Sequence, residues 1–325
     1  MPRTLIHLER MSKRDIKIIS LLPSATEIIC ALGLRDNLVG ITHECDFPAG
    51  VENLPHLTAS RISHAAMTSK EIDHAVRSQL DGHGSIYDLD SQLLEKLNPD
   101  LIITQELCEV CAVAYQQVEK AARMYSADAQ VVSLEPNTIE DIFENIKTVG
   151  DLTGAKPQAE TVVRELQTRV DFLKEKTANL ETRPKVFMLE WLEPPFAPGH
   201  WTPQQVEIAG GNCVLGETGK RSVTTTYEAV YESKPEKIVL VPCGYYTRDI
   251  LRQLENTFFP ENFREIPAIE TGEVWALDAS SYFSRPAPRV IRGAEILAKI
   301  FHPRIFGLPT EAEAVRVPQD LIKFN

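Results

Sequence analysis

The chain has 325 residues, 43% hydrophobic and 25% charged, with 34 Lys and Arg against 46 Asp and Glu, a net charge of −12. That length allows two domains with separate cores, and the acidic balance excludes general affinity for nucleic acid or anionic membrane, both of which need basic patches. No window approaches the ~18 apolar residues of a membrane span, so no membrane insertion is expected.

Taken from its start, MPRTLIHLERMSKRDIKIIS carries basic residues but neither an apolar h-region nor a small-residue cleavage site. It predicts a cytoplasmic protein, or a periplasmic one if the native N-terminus has been removed. Six cysteines without such a signal fit a reducing compartment. Residues 16–22 (IKIISLL) form a nearly continuous apolar run, suited to a strand buried on both faces. Ser24 and Glu27 then have capping-box spacing before a short helix closed by Gly33. Residues 38–41 read as the next strand, followed by the loop THECDFP. The stretch 51–89 is polar, with a short helix over 71–80; Asp90 caps a helix to Leu97, and Pro99 stops it before strand 101–104. The loop QELCEVC, a helix near 115–125, strand QVVSL and a helix over 138–152 complete a first lobe.

Next comes KPQAETVVRELQTRVDFLKEKTANL, with Ala159, Val162, Val163, Leu166, Val170 and Leu173 on one helical face. At 1.5 Å per residue such a helix spans roughly 35 Å. Beyond it the grammar repeats: strand KVFMLEW, loop LEPPFAPGHW, a helix capped by Thr202, strand KIVLV, loop PCGYY, strand EVWAL, loop DASSYFSRPAP and a helix through Phe301. Strands alternating with helices predict parallel sheets covered by helices, an α/β class. The expected division is an N-terminal lobe over 16–153, a connecting helix over 156–181, a C-terminal lobe over 184–305 and an irregular tail over 306–325. Ligands of such folds bind beyond the carboxyl ends of the strands, so the strand-end loops are expected to face one cleft between the lobes.

Two groups of residues stand out in those loops. His43 and Cys45 make H-x-C, and Cys108 and Cys111 make C-x-x-C, together a sulfur and nitrogen set suited to zinc, to an iron–sulfur centre or to a thiophilic metal-bearing ligand; buried thiols are the plainer reading. In the second lobe Trp191, Phe196, Trp201, Tyr245, Tyr282 and Phe283 bring aromatic faces to the predicted loops, suited to a flat or macrocyclic ligand. Arg285 is placed to pair with a carboxylate or phosphate on that ligand. Ser24 and Glu44 join the ligand-facing candidates from lobe one. No nucleophile elbow, phosphate-binding loop, dinucleotide fingerprint or zinc-protease motif is present.

The runs IISLLPSATEIICALGL, LEKLNPDLIIT, PPFAPGHWTPQQVEIAGG and YFSRPAPRVIRGAEILAKI resemble the cobalamin-binding substrate-binding proteins of bacterial ABC transporters, over roughly residues 16 to 301. The resemblance implies two α/β lobes joined by one long helix, a ligand held between them, and corrinoid or another metal chelate as that ligand. It further implies ring stacking by Phe196, cleft positions for Tyr282, Phe283 and Arg285, and docking of Glu207 onto basic pockets of an ABC permease. The second docking position aligns with Gln92, flanked by Asp90 and Glu95, and HEC replaces the family's cleft aromatic near Glu44. Two functions follow: a binding protein for a corrinoid or related chelate, or a cytoplasmic metal- or thiol-dependent enzyme centred on His43, Cys45, Cys108 and Cys111.

Overall fold

In a computed structural model, residues 16–60, 67–81, 87–105, 120 and 128–325 are described. They divide into two compact units, the first drawn from residues 1–62, 76–136 and 143–164, the second from 63–75, 137–142 and 165–325.

The first unit is built on strands β1 (Ile18–Ser20), β2 (Leu38–Gly40), β5 (Leu101–Thr104) and β6 (Gln130–Ser133), all parallel and ordered β2-β1-β5-β6. A hairpin of β3 (Thr58–Ser60) and β4 (Tyr87–Leu89) lies outside that sheet. Ile18 and Ile19 stand opposite Leu101 and Ile102, and Ile18, Ile19, Ile102 and Ile103 are fully buried. That is why this strand reads as a continuous apolar run instead of an alternating one. Helix α1 (Pro23–Ala31) follows β1; α2 (Ser69–Asp81) and α3 (Ser91–Leu97) follow in turn. Asp90 caps α3 as expected, its Oδ1 accepting the Leu93 N–H at 2.9 Å.

The two other expected caps shift. Leu22 and Trp201, not Ser24 and Thr202, hold the cap positions of α1 and of the later helix Thr202–Ile208. Pro23 and Pro203 can occupy the first turn because no intrahelical partner awaits their missing N–H, so each helix starts earlier than the hydroxyl residue suggests. Ser24 and Thr202 are each only 3% exposed.

Helix α4 (Ile139–Leu152) precedes α5 (Lys156–Thr177), the long mid-chain helix, and the boundary between the units falls inside α5 at 164/165. Ala159, Leu166, Val170 and Leu173 of its apolar face are buried. The second unit has its own five-stranded sheet, ordered β14-β13-β11-β7-β9. Strands β7 (Lys185–Leu189), β9 (Asn212–Cys213), β11 (Lys237–Leu240) and β13 (Val274–Leu277) are parallel. A separate two-stranded antiparallel sheet pairs β8 (Phe196–Ala197) with β10 (Val223–Thr224). The helices of this unit are α6 (Thr202–Ile208), α7 (Tyr227–Ser233), α8 (Thr247–Leu254), α9 (Pro267–Glu270), α10 (Ala279–Tyr282), α11 (Val290–Phe301) and α12 (Pro303–Phe306). The loop QELCEVC beyond Gln105 and, except for Lys120, the helix expected near 115–125 lie outside the described residues.

The tail over 306–325 is not irregular. Strand β14 (Ala314–Arg316) pairs antiparallel with β13, and β15 (Lys323–Phe324) pairs with β12 (Phe258–Phe259). Glu313 is the anchor: it accepts from Lys299 Nζ at 2.7 and 2.9 Å and from the Thr310 N–H at 2.7 Å, and it pairs with Arg292. Arg292 in turn donates to Glu295, which also accepts from Arg169 of α5 at 2.7 Å. The bonds from Lys299 and Arg292 to Glu313 and from Arg169 to Glu295 join residues distant in sequence, so no local pattern announces them.

Burial raises the Glu313 carboxyl, but Lys299, the Thr310 amide and Arg292 outweigh it and hold it at about 2. A depressed carboxylate contributes stability above its unfolded pKa and loses it as pH falls through the folded value. Because Arg292 is 39% exposed, solvent screening reduces the full conversion, and Glu313→Gln is expected to lower unfolding stability at pH 7 by about 2 kcal/mol. Urea melts of both proteins at stepped pH check this: the gap should narrow progressively below pH 4.5, and a gap independent of pH would contradict the assignment.

Candidate functional site

Strands β2 and β5 both flank β1, so the segments that follow these three strands emerge at one edge of the first unit's sheet. There His43 is half-buried. Its backbone N–H donates to Thr58 Oγ1 at 3.2 Å, its ring Nδ1 lies 2.7 Å from the same oxygen, and its Nε2 lies 4.0 Å from the Glu44 carboxylate. Burial, and then His56, push the His43 pKa down, favouring the neutral imidazole. Glu44 is half-buried, its N–H donating to Thr42 Oγ1 at 2.9 Å.

Cys45 is buried against the first helix. It is 2% exposed, and its sulfur lies 3.1 Å from Thr26 Oγ1. Thr26 donates its own proton to Ser20 at 2.8 Å, and Ser20 donates to the Leu22 carbonyl at 2.9 Å. The Cys45 thiol therefore supplies the proton to Thr26 and terminates a buried polar chain. Cys108 and Cys111 lie outside the described residues. Among the described residues no group of three His, Cys, Asp or Glu side chains could hold a metal ion, and the zinc or iron–sulfur centre finds no support. Ser24 is buried rather than ligand-facing.

In the second unit the aromatic residues separate into two sets. Trp201 and Phe283 are 6% and 3% exposed, and Trp201 Nε1 donates to the Phe283 carbonyl at 2.8 Å. An indole N–H and a loop carbonyl, both removed from water, satisfy each other, so these rings close the unit's interior instead of lining a ligand face. Tyr245 is 1% exposed, its ring 5.4 Å from that of Trp191. The start of α2 covers them: Trp191 Nε1 donates to the Ser69 carbonyl at 3.2 Å, and Gln253 Nε2 donates to the Met67 carbonyl at 3.0 Å. Tyr245 is thus packed against chain, where a ligand contact was expected, and Trp191 stays half-buried.

Phe196, Tyr282 and Arg285 remain half-buried. Tyr282 ends α10 and is held from below: fully buried Gln205 donates its amide to the carbonyls of Tyr282 at 3.0 Å and Val290 at 2.7 Å. Gly293 permits this approach, since a Cβ there would stand 2.7 Å from the Tyr282 oxygen. Glu207 projects from α6 and is exposed.

Phe196 is held by a residue that the sequence reading passed over. Glu190 follows the last residue of β7, and its N–H donates to the Phe196 carbonyl at 3.2 Å while the Phe196 N–H donates to the Trp191 carbonyl at 3.2 Å. The Glu190 carboxyl accepts from Ser222 Oγ at 2.5 Å, and also from the Thr202 hydroxyl and the Gly199 N–H. Burial raises its pKa, against those three donors, to about 7. The only hint in the sequence is an acidic residue ending the apolar run KVFML.

The chain matches the periplasmic binding protein family over residues 18–280. It is 24% identical over 306 residues to an uncharacterized ABC transporter substrate-binding lipoprotein of Bacillus subtilis, covering 91% of this chain and 83% of that one. It is 22% identical over 282 residues to the vitamin B12-binding protein of Vibrio cholerae, 86% of each. In fold it is similar to a periplasmic heme binding protein from Pseudomonas aeruginosa, with a TM-score of 0.70 and 18% identity over 93% of this chain and 99% of the other. The expectation of a cytoplasmic protein is corrected by these matches, whose names are periplasmic or lipoprotein. Among the described residues no helix is long and apolar enough to cross a membrane.

The two sets of rings should respond differently to truncation. Phe283→Ala removes a buried ring and is expected to cost about 3–5 kcal/mol of unfolding stability, whereas Phe196→Ala, at a half-buried site, should cost less than half as much. Paired denaturant melts measure both; equal losses would show that Phe196 is a core residue.

Proposed function

The chain belongs to the periplasmic binding protein family, and from that premise we propose that it is the substrate-binding protein of an ABC transporter for a flat metal chelate of the corrinoid or heme kind. The observation that carries this reading is Phe196, a ring left half-buried on the short strand β8 while Trp201, Tyr245 and Phe283 turn inward. Phe196 stacks on the macrocycle, Tyr282 adds a second aromatic contact, and Arg285 pairs with a carboxylate or phosphate of the ligand. His43 and Glu44 are the first unit's own ligand-facing candidates. The His43 ring has the orientation lock typical of a metal-facing imidazole, one nitrogen held by Thr58. Names of relatives that bind vitamin B12 or heme support the ligand class. Glu207, exposed on α6, docks the second unit on a basic pocket of the permease; Gln92, exposed on α3, takes the corresponding place in the first unit. The enzyme alternative is not carried forward, because Cys45 is committed to Thr26.

Difference absorbance on titrating the purified protein with cyanocobalamin and, separately, hemin tests the reading. Saturable binding of at least one is expected, and Phe196→Ala should weaken it by about fivefold or more, the scale of one lost aromatic contact. Failure of both probes to bind would sink the ligand assignment. Glu207→Lys should leave ligand affinity unchanged and abolish co-purification with the cognate permease; retained co-purification would remove Glu207 from the docking surface.

A further inference from the structure

We propose that Glu190 is the positioning residue of the second unit's ligand face: its carboxyl clasps the loop that presents Phe196 to the neighbouring β10 strand and so fixes the ring. The inference rests on Phe196 contacting the ligand, as proposed above.

Three donors from two segments, 199–202 and 219–222, converge on this one carboxyl. Ser222 comes from the approach to β10, Thr202 from the first turn of α6, and the Gly199 amide from the connection between β8 and α6. The backbone of Glu190 completes the clasp, bonding Phe196 through its N–H and accepting the Cys243 N–H at 3.1 Å through its carbonyl. Segments 199–202 and 219–222 approach so closely that only glycine fits at 199: a Cβ there would lie 2.2 Å from the Ser222 nitrogen and 2.6 Å from the Lys220 oxygen. The Gly219 N–H bonds the His200 carbonyl at 2.9 Å, and His200 itself takes the left-handed conformation, φ +51°, that non-glycine residues seldom adopt. A strained residue beside an acidic one held by three donors is a loop fixed in a single geometry. A binding loop needs that, because a stacking ring left free to move must be ordered at the ligand's expense.

The clasp is proton-dependent. Burial makes the ionised carboxyl unfavourable in the clasped loop, so its pKa stands at about 7, against about 4.3 for the same group in a loosened, hydrated loop. Protons therefore favour the clasped form, and it weakens as pH rises from the ordinary carboxylate range through 7. Other titratable neighbours do not account for a transition there. Cys213 of β9 is pushed up to about 12 by burial, Glu190 and Glu207, and remains a thiol. His200 is driven down by burial and Arg221, away from 7.

Two of the chain's three tryptophans, Trp191 and Trp201, flank this loop, which gives a readout that needs no ligand. Tryptophan emission of the wild type should titrate with a midpoint near 7. The transition should be absent in Glu190→Gln, which keeps shape and acceptor but cannot ionise, and retained in His200→Asn. Ser222→Ala removes one donor to the carboxylate and should move the midpoint upward, a shift that a purely structural role does not produce. In parallel, affinity for cyanocobalamin or hemin should fall at least threefold from pH 6 to pH 8 in the wild type. It should stay flat in Glu190→Gln and be weak at both pH values in Glu190→Ala. A transition that survives Glu190→Gln or disappears in His200→Asn overturns the proposal, as does wild-type affinity at both pH values in Glu190→Ala. If neither probe binds the wild type, the ligand reading alone fails, and the emission titration decides the clasp.

Discussion

Parallel strand pairing is the constraint from which the rest follows. A parallel pair cannot be closed by a tight turn, so each strand must return through a crossover, and helices cover both faces of each sheet. The same requirement sends every strand's carboxyl end to one edge. In the first unit it brings the segments after β1, β2 and β5 together; in the second it gathers those after β7, β11 and β13. The apolar strands supply the burial that stabilises each sheet, and the loops are left to do chemistry on a rigid edge.

Those loops still have to satisfy their own polar groups. The second unit does so with side chains that look in the sequence like ligand contacts. Trp201 closes on the Phe283 carbonyl and Trp191 on the Ser69 carbonyl. An unpaired buried N–H or carbonyl costs about 1–3 kcal/mol, so an amphipathic ring within reach of one is drawn inward. Phe196 has no polar atom to commit and stays half-buried, its backbone alone held by Glu190 and Trp191.

What was legible in the sequence was what depends on near neighbours. The strands announced themselves because both faces are buried; α3 did because Asp90 reaches the Leu93 amide three residues on. The long helix showed its apolar face directly, with Ala159, Leu166, Val170 and Leu173 all buried. Where two local signals competed, the reading slipped: Ser24 and Thr202 have cap chemistry, but the adjacent prolines set the helix starts. Contacts over long separations left no trace. The tail is ordered by Glu313 meeting Lys299 and Arg292, 14 and 21 residues away. Cys45 turns inward because Thr26, 19 residues earlier, needs a donor. Glu190 meets Ser222 across 32 residues, and nothing around either one predicts it.

Burial acts on several ionisable groups of this protein in the same direction, and the outcome differs only because their ordinary pKa values differ. Cys30 is pushed to about 11 and Cys213 to about 12, and burial is the largest cause for both. Each starts near 8.5 in water, so the shift moves it further from neutrality and leaves an inert thiol. The same effect on a carboxyl starts from about 4.3 and carries Glu190 up to about 7 rather than past it. A carboxyl held by Lys and Arg, as Glu313 is, goes the other way and stays charged at any physiological pH. The donors around Glu190 are hydroxyls and an amide; such dipoles offset only part of the desolvation, and the proton stays within reach of ordinary conditions. A cation at Ser222 or Thr202 would fix the carboxylate permanently, and an apolar residue at 190 would leave the hydroxyls and the Gly199 amide without their acceptor. Between those extremes, a neutral donor set around one acid is what lets a loop be both held and released.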